Sequence, residues 1–176
     1  MRCYTENNHG WFKINMQKNI FSKDLIFVDP PIEKADRNGI INYLCEKLIE
    51  KDIITAEYTR EVLEREEIHP TGLPTMPYAS TVPHANPIGV KRTGIALAVL
   101  KNPIPFFAMD DPKKELEVRL VFLMSFLDGN QVALLRWISN VLSDQQTVKG
   151  ITESTSPDQA YQIIAPFLQN NSKGEE

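Results

Sequence analysis

Cysteine is scarce in this chain: Cys3 and Cys45 are the two it has in 176 residues. Two thiols form no disulfide framework and neither sits in a CxxC spacing, so a reduced, cytosolic chain is the simplest reading. No run of ~18 apolar residues occurs, which leaves nothing to span a membrane as a helix. Residues 1–13 lack the apolar stretch of a secretory signal, and none is expected there. Basic residues are not in excess. The 19 Lys and Arg are outnumbered by 23 Asp and Glu, for a net charge of −4, which argues against a nucleic-acid partner. Glycine is sparse and forms neither GxGxxG nor a P-loop, and no GxSxG occurs, so nucleotide binding and a serine-hydrolase elbow have no support. The three histidines, His9, His69 and His84, show no HxxxH spacing, and no cysteine lies near His84. No metal site is expected.

What is present is an ordinary globular composition, 42% hydrophobic and 24% charged, in a length that suits one domain with a real core. Leu25–Val28 is a short β-favouring run closed by Asp29-Pro30-Pro31. From about Lys34 to Glu50, apolar residues at Ile41, Leu44, Cys45 and Leu48 follow helical spacing. A second helix starts after Thr55 and ends before Pro70. Gly94–Leu100 is apolar on both alternations, as in a strand buried on both faces. Lys101–Phe106, with two prolines, reads as a connection. Val118–Met124 is a second buried strand, joined to the first by a polar loop at Asp110–Glu117.

Asn130–Leu142 reads as a broad-faced helix. Ser156, Pro157 and Gln159 form the capping signature of a last helix, whose buried stripe is Ala160, Ile163, Ile164 and Phe167. The pattern predicts one α/β domain over 20–170, a central mixed sheet with helices on both sides. Residues 1–19 are an extension expected to be poorly ordered, with Met16 an alternative start, and 171–176 a frayed tail.

The chemistry centres on Arg65 to Asn86. Arg65-Glu66 precedes a turn at Pro70-Thr71-Gly72, a small β-rich piece follows, and His84 lies on a loop between Pro83 and Pro87. A neutral imidazole is a nucleophile in its own right. To accept a phosphoryl group it needs one nitrogen aimed outward, the other held by a local acceptor, and donors facing the phosphoryl oxygens. Arg65 suits that last task as a bidentate fork, with Thr71 and the N–H groups near Gly72 as auxiliaries. On residue types alone, a solvated turn histidine remains the commoner case.

The run Arg65-Glu66, Pro70-Thr71-Gly72-Leu73, Val82-Pro83-His84 resembles the enzyme IIA component of the bacterial sugar phosphotransferase system. It is similar to the fructose/mannitol-type superfamily in its galactitol-type branch, including the nineteen-residue offset from Arg65 to His84. The likeness extends to Asn102–Phe106, Val118–Met124, Gln131–Leu142 and Ser156-Pro157.

The resemblance implies that His84 accepts phosphate from the phosphohistidine of the carrier HPr and passes it to a cysteine of a cognate enzyme IIB. A membrane enzyme IIC binds the sugar alcohol, Arg65 supports the phosphorylated histidine, and no cofactor is needed. Three positions depart from the pattern. His69 stands where the branch carries an aromatic residue, and either fills that place as a half-buried ring or tunes His84. Gln131 stands where mannitol-type relatives carry a second active-site histidine, and Asn86 replaces an acidic or polar residue. The apolar centre of a docking face is sought among Met76, Tyr78, Phe106 and Phe107. Two other readings use the same fold: a free-standing regulatory phosphoacceptor, and a binding module that has lost phosphotransfer.

Overall fold

The computed structural model describes residues 20–127, 129 and 131–169. The N-terminal extension and the C-terminal tail named above lie outside the described residues. Five strands, β1 (Ile26–Val28), β2 (Gly72–Leu73), β3 (Ala79–Thr81), β4 (Gly94–Phe107) and β5 (Glu115–Ser125), form one sheet in the order β1-β4-β5-β3-β2. The sheet is mixed: β1 runs parallel to β4 and β3 parallel to β5, while β4/β5 and β2/β3 are antiparallel.

The apolar alternation of β4 splits cleanly between the two faces. Ile95, Leu97 and Val99 join Leu120, Phe122 and Met124 of β5 on one face, under α3 (Gln131–Ser143), α4 (Gln145–Thr152) and α5 (Pro157–Gln169). Ala96, Ala98 and Leu100 join Val121 and Leu123 on the other, under α1 (Arg37–Glu50) and α2 (Ala56–Ile68). Side chains of successive strand residues point to opposite faces, so a run apolar at every position must be covered on both sides. The helices on both sides of a central sheet are as expected.

Four local expectations change. The segment Lys101–Phe106 is not a connection, because β4 continues to Phe107 and pairs with β5 at Ile104↔Val118 and Phe106↔Leu116. The register shifts between Val99 and Ile104, and Ile104 and Phe106 are buried while Pro103 and Pro105 face out. β1 pairs with β4 only as far as Val99. Beyond it no described strand pairs with the far side of β4, and a missing N–H is tolerated there. The β4–β5 loop is correspondingly shorter, with β5 starting at Glu115.

The sequence reading also missed a helix. Asp144 caps α4 by accepting from Thr147 N–H at 2.9 Å, and Val148 and Ile151 are buried beneath it. At α5, Ser156 Oγ accepts from Gln159 N–H at 3.3 Å, but the Gln159 side chain reaches back to Thr155 N–H at 2.9 Å rather than to Ser156. Half of the capping box is present. Ala160 and Ile164 are buried, with Ile163 and Phe167 half-buried beside them.

Candidate active site at His84

α2 ends beside the site because Pro70 disfavours helical backbone at the residue before it. Its last turn presents Arg65 and Glu66, and His69 N–H closes the helix on Arg65 O at 2.7 Å. The chain then turns through Pro70-Thr71 into β2, where Gly72 is obligatory. A Cβ there would lie 2.4 Å from Phe107 O, a contact no side-chain carbon makes. Met109 N–H donates to Gly72 O at 2.8 Å, so β2 is stitched to the far end of β4.

From β3 the chain runs through Val82-Pro83 to His84. The residues on both sides of the histidine are anchored. Pro83 O accepts Met124 N–H at 3.0 Å, and Ala85 N–H donates to Tyr58 Oη at 3.1 Å. Tyr58 Oη in turn donates to Met124 O at 2.6 Å. The ring of Phe126 packs on the imidazole at 5.7 Å between centroids.

His84 is therefore not a solvated turn histidine: it is 6% exposed. Its Nδ1 lies 2.7 Å from Val82 O. A carbonyl only accepts, so Nδ1 carries the proton, and the lone pair of the neutral ring is on Nε2. Arg65 Nη2–H donates to that nitrogen at 3.2 Å. Burial holds the imidazole pKa below its ordinary value; the Val82 carbonyl opposes this and the Arg65 charge adds to it. At neutral pH the ring is a free base. Arg65 Nε is buried with no hydrogen-bond partner, so the guanidinium keeps one unused donor.

His84 lines a cavity of about 360 Å³ together with Arg65, Ile68, His69, Pro70, Thr71, Met109 and Pro112. Thr71 and His69 thus share the cavity with Arg65 and His84, as the sequence suggested, but each differs from expectation. Both Thr71 donors are consumed: its N–H goes to Glu66 Oε1 at 3.0 Å and its hydroxyl to Glu66 Oε2 at 2.7 Å. His69 is exposed, not half-buried as a ring filler. Gln131 and Asn86 are exposed and do not line the cavity. Nor do Met76, Tyr78, Phe106 and Phe107. Phe106 is core, Phe107 lies under Arg37 and Tyr78 under Arg119. Ile68, Met109 and Pro112 supply the apolar lining instead.

Glu66 is the site residue that sequence reasoning passed over. It is 1% exposed, and burial pushes its carboxyl up to about 7 against the Thr71 hydrogen bonds and the charges of Arg37 and Arg65. The signal was available but shared: of Glu64, Glu66 and Glu67 around Arg65 in the last turns of the helix, Glu66 stands five residues before Thr71. A protonated carboxyl keeps the same contacts by reversing the hydroxyl bonds, because the neighbouring Thr71 Oγ1–Thr81 Oγ1 contact of 2.9 Å permits either donor.

Fold and site together define a class: a mixed α/β domain that holds one buried imidazole, protonated on Nδ1, beside an arginine on a cavity wall. Its family follows from comparison. The model of the family described as "Phosphoenolpyruvate-dependent sugar phosphotransferase system, EIIA 2" matches residues 19–166, and the chain belongs to that family. It is accordingly a phosphotransferase-system enzyme IIA domain, and so a phosphotransferase.

Among relatives, the "PTS system galactitol-specific EIIA component" of Escherichia coli K12 is 23% identical over 124 residues, 70% of this chain and 83% of that protein. Among solved structures, the complex of enzyme IIAMTL with phosphorylated enzyme IIBMTL from Escherichia coli superposes with a TM-score of 0.70 at 21% identity, covering 83% of this chain and 97% of that one. The nitrogen regulatory protein IIA-Ntr of Neisseria meningitidis gives 0.66 at 20%, covering 82% and 96%. These structures share the fold.

Proposed function

We propose that His84 is the phosphoryl acceptor of a sugar or polyol uptake relay, galactitol-like, working in the cytoplasm. The donor is the phosphohistidine of HPr, and the acceptor is a cysteine of a cognate enzyme IIB that serves a membrane enzyme IIC. The observation that carries this reading is the His84 ring: Nδ1–H on Val82 O and an unprotonated Nε2 that accepts from Arg65.

The Nε2 lone pair attacks the donor's phosphorus, and the donor P–N bond breaks with its electron pair returning to the donor ring. A new P–N bond forms on His84. The positive charge that appears on the ring is shared with Val82 O through Nδ1–H, and Arg65 turns its guanidinium from Nε2 to the phosphoryl oxygens. In the second step a cysteine thiolate attacks phosphorus and the pair returns to Nε2. No cofactor enters either step.

The match to a galactitol-specific relative over most of both chains favours transport. The regulatory alternative is supported by the likeness of fold to IIA-Ntr, which the transport relatives share. Incubation with phosphoenolpyruvate, enzyme I and HPr, followed by intact mass, tests the proposal. One acid-labile phosphate on the wild type, absent from His84→Ala, is expected. No phosphate on the wild type while HPr itself is phosphorylated would overturn it. Transfer onward to an enzyme IIB separates the relay from a regulator.

A further inference from the structure

Arg65 and Glu66 are consecutive, yet they leave α2 in different directions. Arg65 meets His84 Nε2 directly. Glu66 is buried in the interior, while its other neighbour, Glu67, pairs with Arg37 at the surface. A buried carboxyl is costly unless its oxygens are used, and here both are used on one residue, Thr71.

The contacts continue from there in a single line. Thr71 Oγ1 meets Thr81 Oγ1, and Thr71 O accepts Val82 N–H at 3.3 Å. Val82 O then accepts His84 Nδ1–H at 2.7 Å. We infer that Glu66 is a positioning residue for His84, fixing the ring's aim and tautomer through Thr71 and the Val82 backbone. The end of α2 thus governs both ring nitrogens, Nε2 by contact and Nδ1 through the clasp on Thr71. The inference rests on the phosphoryl-acceptor reading for its kinetic consequence and not for its structural one.

A residue that merely filled the space or stapled the turn would affect stability without changing the ring. Glu66→Met keeps the volume and removes both acceptors. Glu66→Gln keeps one acceptor for Thr71 N–H and one partner for its hydroxyl, so it serves as the rescue. Thr71→Val removes the hydroxyl alone and stands in if Glu66→Met does not fold.

The first readout is the ¹⁵N chemical shifts of the His84 ring in unphosphorylated protein, with no carrier present. The second is the rate of phosphoryl transfer from HPr. Glu66→Met should lose the Nδ1–H preference and accept phosphate about tenfold to a hundredfold more slowly, as expected for a nucleophile out of aim. Thr71→Val should shift the same way by less, and Glu66→Gln should stay near wild type. An unchanged Nδ1–H signature in the folded Met and Val variants overturns the inference. A wild type that takes no phosphate sinks the proposed function instead, and the ring shifts still decide the role of Glu66.

Discussion

As the proposed phosphoryl acceptor, His84 is made a nucleophile by removing water rather than by adding a base. The buried ring stays neutral, Val82 O selects the tautomer, and Arg65 waits beside the lone pair. Because the folded pKa lies below the ordinary 6.5, phosphoryl acceptance should be flat from about pH 8 down to about 6.5 and fall only below it. A rate that already declines between pH 8 and 7, measured with HPr kept fully phosphorylated, would contradict a depressed pKa. Arg65→Lys keeps the charge and loses the fork. It should slow transfer by about tenfold, short of the hundredfold or more that follows removal of a transition-state donor. Burial also changes the expectation for His84→Ala, since a surface turn residue would cost little. At 6% exposure the substitution leaves Val82 O without its partner and should cost roughly 1 to 3 kcal/mol in urea unfolding. The residue types of the site were readable in the sequence, but the exposure of His84 and His69 was not. Burial depends on Phe126, Tyr58 and Met124, which sit far from His84 in the chain.

Among the elements, the strands explain where the sequence misled. Pro103 and Pro105 looked like a break, yet they lie in a strand whose outer side no described strand pairs beyond Val99, so the described ladder loses nothing there. α4 was hidden because its eight residues are too few for helical periodicity to stand out; its visible signal was Asp144 three residues before Thr147. β2 is held by close approach. Gly72→Ala places a methyl against Phe107 O. It should lower the melting temperature and widen the cavity beside His84, slowing phosphorylation as well. Normal transfer with a lowered melting temperature would show that β2 does not shape the cavity.

Across the whole molecule, one sheet serves two cores, and the site lies where α2 and the β3–β4 connection meet. Glu66 ties that junction to the stability of the entire domain. Its carboxyl is raised from 4.5 to about 7 in the folded state, so the native protein binds the extra proton. Stability from this group is full below about pH 4.5 and is lost as pH rises through about 7. Glu66→Gln cannot titrate. The stability of wild type relative to this variant should therefore fall across that window, by an amount on the order of a few kcal/mol at 1.4 kcal/mol per pKa unit. A difference that does not vary with pH, in paired urea titrations at pH 5 and 8, would mean that Glu66 is ionised throughout.

The sequence by itself determined the helices with long apolar stripes, the two central strands and the Arg65–Thr71–His84 grouping. These depend on local periodicity and on residue types set at fixed spacings. Only the tertiary structure decided which donors remain free. Thr71 looked like a ligand for phosphoryl oxygens until Glu66 was seen to take both of its protons. Gln131 and Asn86 do not line the cavity, and Glu66 is buried with its carboxyl on Thr71, which does. Hydrogen-bond capacity is exhausted by whatever lies within about 3 Å, and a sequence does not record which residues those are.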